Sequence, residues 1–190
     1  MRVLLIGGTS HTGKSTLARA VGERLGWECL STDGLARHPG RPWGTVPEHV
    51  VRHYGTLSVD ELIRSVLDHF ARLWPRIQEL ITERAEGAGP RLVLEGSALW
   101  PDRVAGLDVP HTEAVWLTVD DEVLGARMRE SEPPAEQRPL VDKFLARSVR
   151  YQRLMVESVD AHGLCRIDTA DRGVAELVDA VLARPCRQGP

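Results

Sequence analysis

Short apolar stretches alternate along the chain with longer segments in which apolar residues recur at helical spacing. The apolar stretches predict buried strands at residues 3–6, 91–94, 114–119 and 164–167, with a weaker fifth at 28–30. Helical patterns cover residues 14–25, 58–86, 122–129, 140–159 and 171–183. We expect Pro75 to interrupt the second helix and Asp171 to cap the last one. Alternating strands and helices predict an α/β fold, with a five-stranded parallel sheet covered by helices on both faces.

Two segments interrupt this alternation of predicted strands and helices. Residues 33–55 are rich in proline, glycine, histidine and arginine, and residues 131–139 carry three prolines among charged side chains. In an open parallel sheet, such segments lie over the carboxyl ends of the strands, where ligands bind. We therefore expect both segments to border a binding site.

The composition is that of one globular domain. The 190 residues include 24 basic and 27 acidic side chains, a net charge of −3 that is too even for a polybasic membrane-binding or nucleic-acid-coating protein. The three cysteines have no zinc-ligand spacing and suggest reduced thiols, and the first apolar run is too short for a signal peptide or a membrane span. We predict a cytoplasmic protein that does not bind membranes.

Lysine is rare in this chain, occurring only at Lys14 and Lys143, whereas arginine is abundant. This bias is typical of a GC-rich genome. Lys14 lies in a phosphate-loop pattern, G-x-x-x-x-G-K-[ST], which the chain matches as Gly8-Thr9-Ser10-His11-Thr12-Gly13-Lys14-Ser15, followed by Thr16. A chance glycine-rich turn is the alternative, and the strand before the motif and the helix after it argue against that alternative.

The chemistry of this loop is specific. Its glycines let successive backbone N–H groups surround one phosphate, and the helix that follows adds the partial positive charge of its N-terminus. Lys14 reaches the β- and γ-phosphates, and the Ser15 hydroxyl is a ligand for Mg²⁺. We therefore predict that residues 8–16 bind ATP together with Mg²⁺.

Two acidic residues follow predicted strands. Asp33 comes after the second strand, where a carboxylate can take a proton from an attacking hydroxyl; an Asp that starts a turn or caps a helix is the alternative. Arg37 and Arg41 follow it, either to bind an anionic or hydroxyl-rich acceptor or as solvated surface residues. Glu95 ends the third strand, where it can serve Mg²⁺ or an acceptor hydroxyl, or pair with an arginine.

A cluster of basic residues lies around the second proline-rich segment. Residues 127–150 contain six basic and four acidic side chains in a chain that is negative overall. Arginines on a closing lid stabilise the charge of a phosphoryl group in transfer, whereas a solvated helix face is the alternative for any single one. We predict a lid over residues 127–150 and an acceptor-binding region over residues 34–90, within a single domain of residues 1–190.

The chain resembles the small P-loop kinases of the adenylate, gluconate and shikimate kinase type. The resemblance rests on the phosphate loop, Asp33, the strand end Glu95-Gly96, Arg127 before the predicted lid, and a last strand that ends at Asp168. It implies a three-layer P-loop NTPase fold with a lid. It also implies that Arg127 acts in catalysis and contacts the nucleotide, and that residues 168–170 lie near the adenine.

Particular branches of these kinases match separate pieces of the chain. The run 138–141 looks like the Arg-Pro-Leu-Leu element of shikimate kinases, and Arg147 is spaced like the arginine that binds the substrate carboxylate there, although the triple glycine of that family is absent. Residues 94–101 are similar to 2-phosphoglycerate kinases. In having an Asp just after the second strand, the chain also resembles chloramphenicol phosphotransferase and polynucleotide 5′-kinases.

These observations predict an ATP-dependent phosphotransferase that acts on a hydroxyl of a small molecule, such as a metabolite, a sugar acid or a natural product. One alternative is a nucleoside, nucleotide or nucleic-acid 5′-hydroxyl kinase, which the acidic net charge disfavours for long nucleic acids. The other alternative is a nucleotide-binding regulatory protein. Asp33 argues against it, because such a protein needs no base to activate a hydroxyl. The oligomeric state stays open.

Overall fold

The computed structural model describes residues 1–36, 38–40, 42, 44–130 and 135–183. Its strands are β1 (Val3–Gly8), β2 (Glu28–Ser31), β3 (Leu92–Glu95), β4 (Thr112–Thr118) and β5 (Arg166–Asp168). They form one parallel sheet in the order β2-β3-β1-β4-β5. All five strands lie at the predicted places, and the α/β fold with a five-stranded parallel sheet is confirmed.

Helices fill the connections between the strands. They are α1 (Lys14–Leu25), α2 (Thr32–Leu35), α3 (Glu48–Thr56), α4 (Val59–Ala85), α5 (Pro101–Ala105), α6 (Asp121–Arg129), α7 (Arg138–Ala161) and α8 (Val174–Ala183). A single 3₁₀ turn at Ala135–Gln137 precedes α7. The sequence pattern does not reveal α3, because this helix buries only Val50 and Tyr54 and so carries too few apolar positions to show a period.

Helix α4 runs through Pro75 without ending, so the predicted interruption is wrong. The proline removes one backbone hydrogen bond and costs about 3 kcal/mol in a helix interior. The apolar face of α4 is buried on both sides of the proline, at Leu62, Ile63 and Val66 before it and at Trp74, Ile77 and Ile81 after it. Each fully buried side chain contributes about 1.5–3 kcal/mol, so packing outweighs the lost bond.

The predicted cap of the last helix is also wrong. Helix α8 begins at Val174 rather than next to Asp171. The Leu177 N–H donates to the Gly173 carbonyl at 3.0 Å, and the Gly173 N–H donates to Glu176 Oε2 at 2.9 Å. The Glu176 carboxylate therefore satisfies a free N–H at this helix start, two residues after Asp171.

Two further observations concern the cysteines and the membrane. Cys29 is a free thiol, whereas Cys165 is disulfide-bonded, which corrects the expectation of reduced thiols; Cys186 lies outside the described residues. An odd number of scattered cysteines has no spacing from which a pairing follows. Within the described ranges, no helix is both long and apolar enough to cross a membrane.

The sheet separates two apolar clusters, as the alternation along β1 shows. Val3 and Leu5 pack into the cluster that includes α4 and α7, whereas Leu4 and Ile6 pack into the cluster that includes α1 and α8. Helices thus cover both faces of the sheet and give three layers. Since β1 is the central strand, between β3 and β4, the loop after its carboxyl end lies in the middle of that edge of the sheet.

Candidate active site

The phosphate loop connects the end of β1 to the start of α1. Lys14 Nζ donates to the Thr9 carbonyl at 2.6 Å, and Thr12 Oγ1 donates to the same carbonyl at 2.9 Å. Although its side chain ends in a charge, Lys14 is only 8% exposed. The lysine therefore lies along its own loop, at the N-terminus of α1, where an anionic group is stabilised by the helix dipole.

Two positions of this loop require glycine. Gly8 has a φ of +141°, and a Cβ there would lie 2.8 Å from the Leu117 carbonyl oxygen on β4. Gly13 has a φ of +89° and ends the loop directly before α1. An L-residue is strained in this region of backbone space, so the two glycines allow the loop to turn closely against β4 and to enter the helix.

The Ser15 hydroxyl meets a carboxylate from the neighbouring strand. Ile6 on β1 pairs with Glu95 on β3, and this register brings Glu95 beside the start of α1. Ser15 Oγ donates to Glu95 Oε1 at 3.1 Å, and Glu95 is 5% exposed. No arginine that the structure describes makes an ion pair with Glu95.

This pair of side chains fits Mg²⁺. A hydroxyl and a carboxylate are oxygen ligands of the type that Mg²⁺ prefers, and few protein ligands suffice because phosphates and waters supply the others. Among the described residues, no group of three or more histidine, cysteine, aspartate or glutamate side chains is arranged to hold a metal ion. Ser15 and Glu95 are therefore the candidates for the metal.

Asp33 lies in the first turn of α2, at the carboxyl end of β2. Its backbone N–H donates to Ser31 Oγ at 3.3 Å, so Ser31 caps this helix and Asp33 does not. The Asp33 carboxylate is exposed and forms no hydrogen bond or ion pair with another described residue. Its side chain is thus available to the cavity that it borders.

Gly96 allows β2 and β3 to end close together. A Cβ on Gly96, whose φ is +155°, would lie 1.7 Å from Thr32 Oγ1, a distance at which two atoms overlap. Thr32 is fully buried, and it precedes Asp33 directly. The glycine therefore lets the Asp33 end of β2 approach the Glu95 end of β3.

The cavity at this edge of the sheet has a volume of about 220 Å³. It brings together residues that are far apart in the sequence, among them Lys14, Glu95 and Arg147. The predicted site residues that line it are Ser10, His11, Gly13, Lys14, Ser15, Thr16, Asp33, Glu95 and Arg147. One cavity thus contains the phosphate loop, the carboxylates and an arginine of α7.

Arg147 is a buried cation that has no anionic partner among the described residues. It is 9% exposed, and it makes no hydrogen bond or ion pair with any residue that the structure describes. The guanidinium carbon lies 5.1 Å from the centre of the Phe144 ring, a cation–π contact. Buried charges are usually paired, so an unpaired arginine at a cavity wall favours an anionic ligand.

Arg127 lies outside this cavity and ties the phosphate loop to the end of β5. Its guanidinium donates to the His11 carbonyl at 3.2 Å, and to Thr169 Oγ1 and the Thr169 carbonyl at 3.4 and 3.2 Å. Thr169 Oγ1 is in turn within 3.2 Å of the Thr12 carbonyl. These contacts position residues 168–170 beside the phosphate loop.

The comparisons with known proteins concern the fold. The sequence matches no protein-family model and no curated protein. A gluconokinase from Sinorhizobium meliloti 1021 superposes with a TM-score of 0.58 at 20% identity, covering 95% of this chain and 89% of that one. A sugar kinase from Janibacter sp. HTCC2649 superposes with a TM-score of 0.61 at 19% sequence identity, covering 96% of this chain and 93% of that one. A shikimate kinase from Aquifex aeolicus vf5 superposes with a TM-score of 0.54 at 16% sequence identity, covering 95% of this chain and 94% of that one.

The fold is that of the small P-loop kinases. Most of the predicted site residues that the structure describes line one cavity at the carboxyl edge of the sheet, whereas Arg127 contacts the phosphate loop at the His11 carbonyl and lies outside that cavity. Arg37 and Arg41 lie outside the described residues. Residues 131–134 of the predicted lid do so as well.

Phe70 and Ser97 line the cavity but were not predicted from the sequence. Phe70 lies on α4 and contributes an apolar wall, and Ser97 donates from Oγ to the Gly8 carbonyl at 3.0 Å. Phe70 belongs to a regular helical pattern, in which nothing distinguishes a residue at a cavity from one in the core. Ser97 directly follows Glu95-Gly96, so its distance from a strand end was the signal that could have identified it.

Proposed function

We propose that this protein transfers the γ-phosphoryl group of ATP to a hydroxyl of a small-molecule acceptor. The observation that carries the proposal is the shared cavity, in which a phosphate loop, the Ser15–Glu95 pair and the Asp33 carboxylate meet. The relatedness in fold to a gluconokinase, a sugar kinase and a shikimate kinase supports the reaction type. A cavity of about 220 Å³ suits a small acceptor.

The nucleotide occupies the phosphate loop in this proposal. The loop backbone and the N-terminus of α1 hold the phosphates, and Lys14 turns from the Thr9 carbonyl toward the β- and γ-phosphates. Arg127 contacts the nucleotide near residues 168–170, to which it is already bonded. Positive charge that is fixed before the reaction stabilises the transferred group without reorganisation.

Ser15 and Glu95 would hold Mg²⁺ through their side-chain oxygens. When bound, the ion neutralises charge on the β- and γ-phosphates. The Ser15–Glu95 hydrogen bond keeps both oxygens on the same side of the cavity.

Asp33 is the general base. The acceptor oxygen forms a bond to the γ-phosphorus, the bond from that phosphorus to the bridging oxygen breaks, and ADP leaves. The hydroxyl proton passes to Asp33 as the new bond forms. Arg147, which lines the same cavity, orients the acceptor, and arginines of residues 127–150 exclude water as a lid.

Acceptor-stimulated release of ADP tests the proposal. The assay is run with Mg²⁺ and ATP against a panel of sugar acids, hydroxy acids, sugars, nucleosides and aminoglycoside- or phenicol-type antibiotics. We expect at least one acceptor to raise ADP release well above the rate with ATP alone. Stimulation by none of them contradicts the kinase and favours a nucleotide-binding regulator, whereas stimulation by nucleosides alone favours the nucleoside-kinase alternative.

Two variants separate binding from transfer. Asp33→Asn is expected to retain nucleotide binding and to lose about 10²- to 10⁴-fold in turnover, because general-base catalysis contributes about that much. Lys14→Ala is expected to weaken both. Asp108→Asn, which changes an exposed carboxylate outside the cavity, is the matched control. Unchanged turnover in Asp33→Asn removes Asp33 from the mechanism.

A further inference from the structure

Phe70 is the one apolar side chain among the described residues that line the candidate active-site cavity. It lies on α4 and is half-buried. Apart from two glycines, the other lining residues carry hydroxyl, carboxylate, imidazole, ammonium or guanidinium groups. Phe70 therefore gives an otherwise polar cavity a single patch of apolar ring surface, and covering that surface with a ligand is favourable.

The rings of Phe70, Tyr151 and Trp100, called the aromatic row below, continue from the cavity into the protein. The ring centres of Phe70 and Tyr151 are 6.2 Å apart with an angle of 87° between the ring planes, and those of Tyr151 and Trp100 are 5.2 Å apart at 67°. These values are typical of edge-to-face aromatic pairs. The aromatic row combines one ring from α4, one from α7 and one from the residue before α5, and Phe70 is its cavity end.

Hydrogen bonds connect the aromatic row to the phosphate loop. Tyr151 is buried, and its hydroxyl donates to the Ser97 carbonyl, while Ser97 Oγ donates to the Gly8 carbonyl at 3.0 Å. Burial raises the pKa of the Tyr151 phenol, so the hydroxyl keeps its proton and remains a donor. Packing on Tyr151 and these two hydrogen bonds therefore hold the Phe70 ring in a defined position relative to the phosphate loop.

The cavity has room for an aromatic ring. Its volume is about 220 Å³, whereas an apolar cavity of about 150 Å³ in another protein holds a benzene molecule. Asp33 and Phe70 line this same cavity, so one small molecule can contact both side chains. A ring that packs against Phe70 thus leaves space for a carbon that carries the reacting hydroxyl.

We propose that the acceptor carries an aromatic ring, which packs against Phe70 while a hydroxyl on or beside that ring meets Asp33. This inference rests on the proposed function and names its substrate class. Contact between the rings removes apolar surface of both partners from water, and an aromatic pair contributes more than the buried area alone. Phe70 therefore distinguishes an aromatic ring from a saturated ring of similar size, and both from an acyclic acceptor.

The two expected preferences differ in their origin and size. Aromatic pairing favours the aromatic ring over the saturated one by about 2- to 10-fold in affinity. Burial of a ring in place of a methyl group adds a preference of at least about tenfold. A cavity in which Phe70 only fills space shows the second preference without the first.

Ligand-observed NMR titration of the full chain tests these preferences. A non-hydrolysable ATP analogue with Mg²⁺ first occupies the phosphate loop. Phenylethanediol, cyclohexylethanediol and propylene glycol are then added as probes that share one diol and differ in its substituent, and we expect the affinity of the wild type to fall in that order. Phe70→Leu keeps an apolar side chain but removes the preference for phenyl over cyclohexyl. Leu80→Met, which changes a half-buried side chain of α4 outside the cavity, is the control and keeps the order.

Three results overturn the inference: no measurable binding of phenylethanediol, equal affinity of the wild type for the phenyl and cyclohexyl probes, or a phenyl preference that Phe70→Leu retains. Uridine and ribose form a second pair of probes. A preference for uridine over ribose that Phe70→Leu removes identifies the ring as a nucleoside base, whereas a phenyl preference alone identifies a ring outside a nucleoside. Failure of the nucleotide analogue to bind, or an acceptor panel that releases no additional ADP, counts instead against the proposed function.

Discussion

Arg147→Met is expected to raise the stability of the protein and to lower its kcat/KM for the acceptor. The Arg147 residue is 9% exposed, and its guanidinium has no anionic partner among the described residues. Its one favourable contact there is with the Phe144 ring at 5.1 Å. A methionine has nearly the same length and no charge, so it fills the same space without the cost of desolvating a cation.

The magnitude follows from these two contributions. An unsatisfied buried polar group costs about 1–3 kcal/mol, and a charged one more. Losing the cation–π contact costs about 0.5–1 kcal/mol. The net expectation is a gain of about 1–2 kcal/mol in the free energy of unfolding, because the cavity still lets water reach part of the guanidinium. For a chain of this size the gain raises Tm by about 2–8 °C.

Calorimetry without ligand measures Tm, and ADP release with an acceptor from the panel measures kcat/KM. Loss of a charged hydrogen bond to the acceptor lowers kcat/KM by about 10- to 100-fold. Arg103→Met, which changes an exposed arginine of α5 outside the cavity and the lid region, is the control and changes neither value appreciably. A fall in Tm together with unchanged acceptor kinetics would refute the reasoning, since it would show that Arg147 is a structural residue.

Three other predictions follow from the described contacts. Arg127→Lys keeps the charge but cannot make the three guanidinium bonds, so the KM for ATP rises about tenfold in steady-state kinetics while the acceptor KM changes little. Gly7→Ala places a Cβ 2.3 Å from the Trp116 indole nitrogen and lowers the free energy of unfolding by about 1–3 kcal/mol in urea titrations; an unchanged midpoint contradicts that contact. Because the pKa of His38 is lowered from 6.5 to about 4, the unfolded chain binds more protons in that window. Stability therefore falls as the pH drops from 6.5 toward 4, and His38→Gln makes the fall shallower in urea unfolding across that range.

The elements that were predicted correctly from the sequence are those whose pattern is contained within a few neighbouring residues. All five strands and the phosphate loop depend on apolar runs and on glycine spacing within a few residues. The errors arose where distant packing opposed a local rule. Pro75 ends an isolated helix, but the buried face of α4 keeps this one continuous. Helix α3 is short and is stabilised by packing on α7, a contact that no local pattern shows.

Some features of the candidate site could likewise be predicted from the sequence, whereas others depend on the fold. Lys14, Ser15, Asp33 and Glu95 could be selected individually because each follows a strand or belongs to a motif. That Glu95 rather than Asp33 accepts the Ser15 hydrogen bond depends on β3 lying next to β1 in the sheet. Strand order is a property of the folded chain and leaves no trace in the spacing of apolar residues.

The sequence by itself determined that this protein has a phosphate loop between a buried strand and a helix, because that motif is built from neighbouring residues with fixed backbone requirements. Only the tertiary structure decided what surrounds it. The crossover connections of a parallel sheet bring α4 and α7 to the same edge, and there they place Phe70 and Arg147 in the wall of the cavity. Such long-range charge arrangements depend on packing, since burial and proximity together set the cost of each charge.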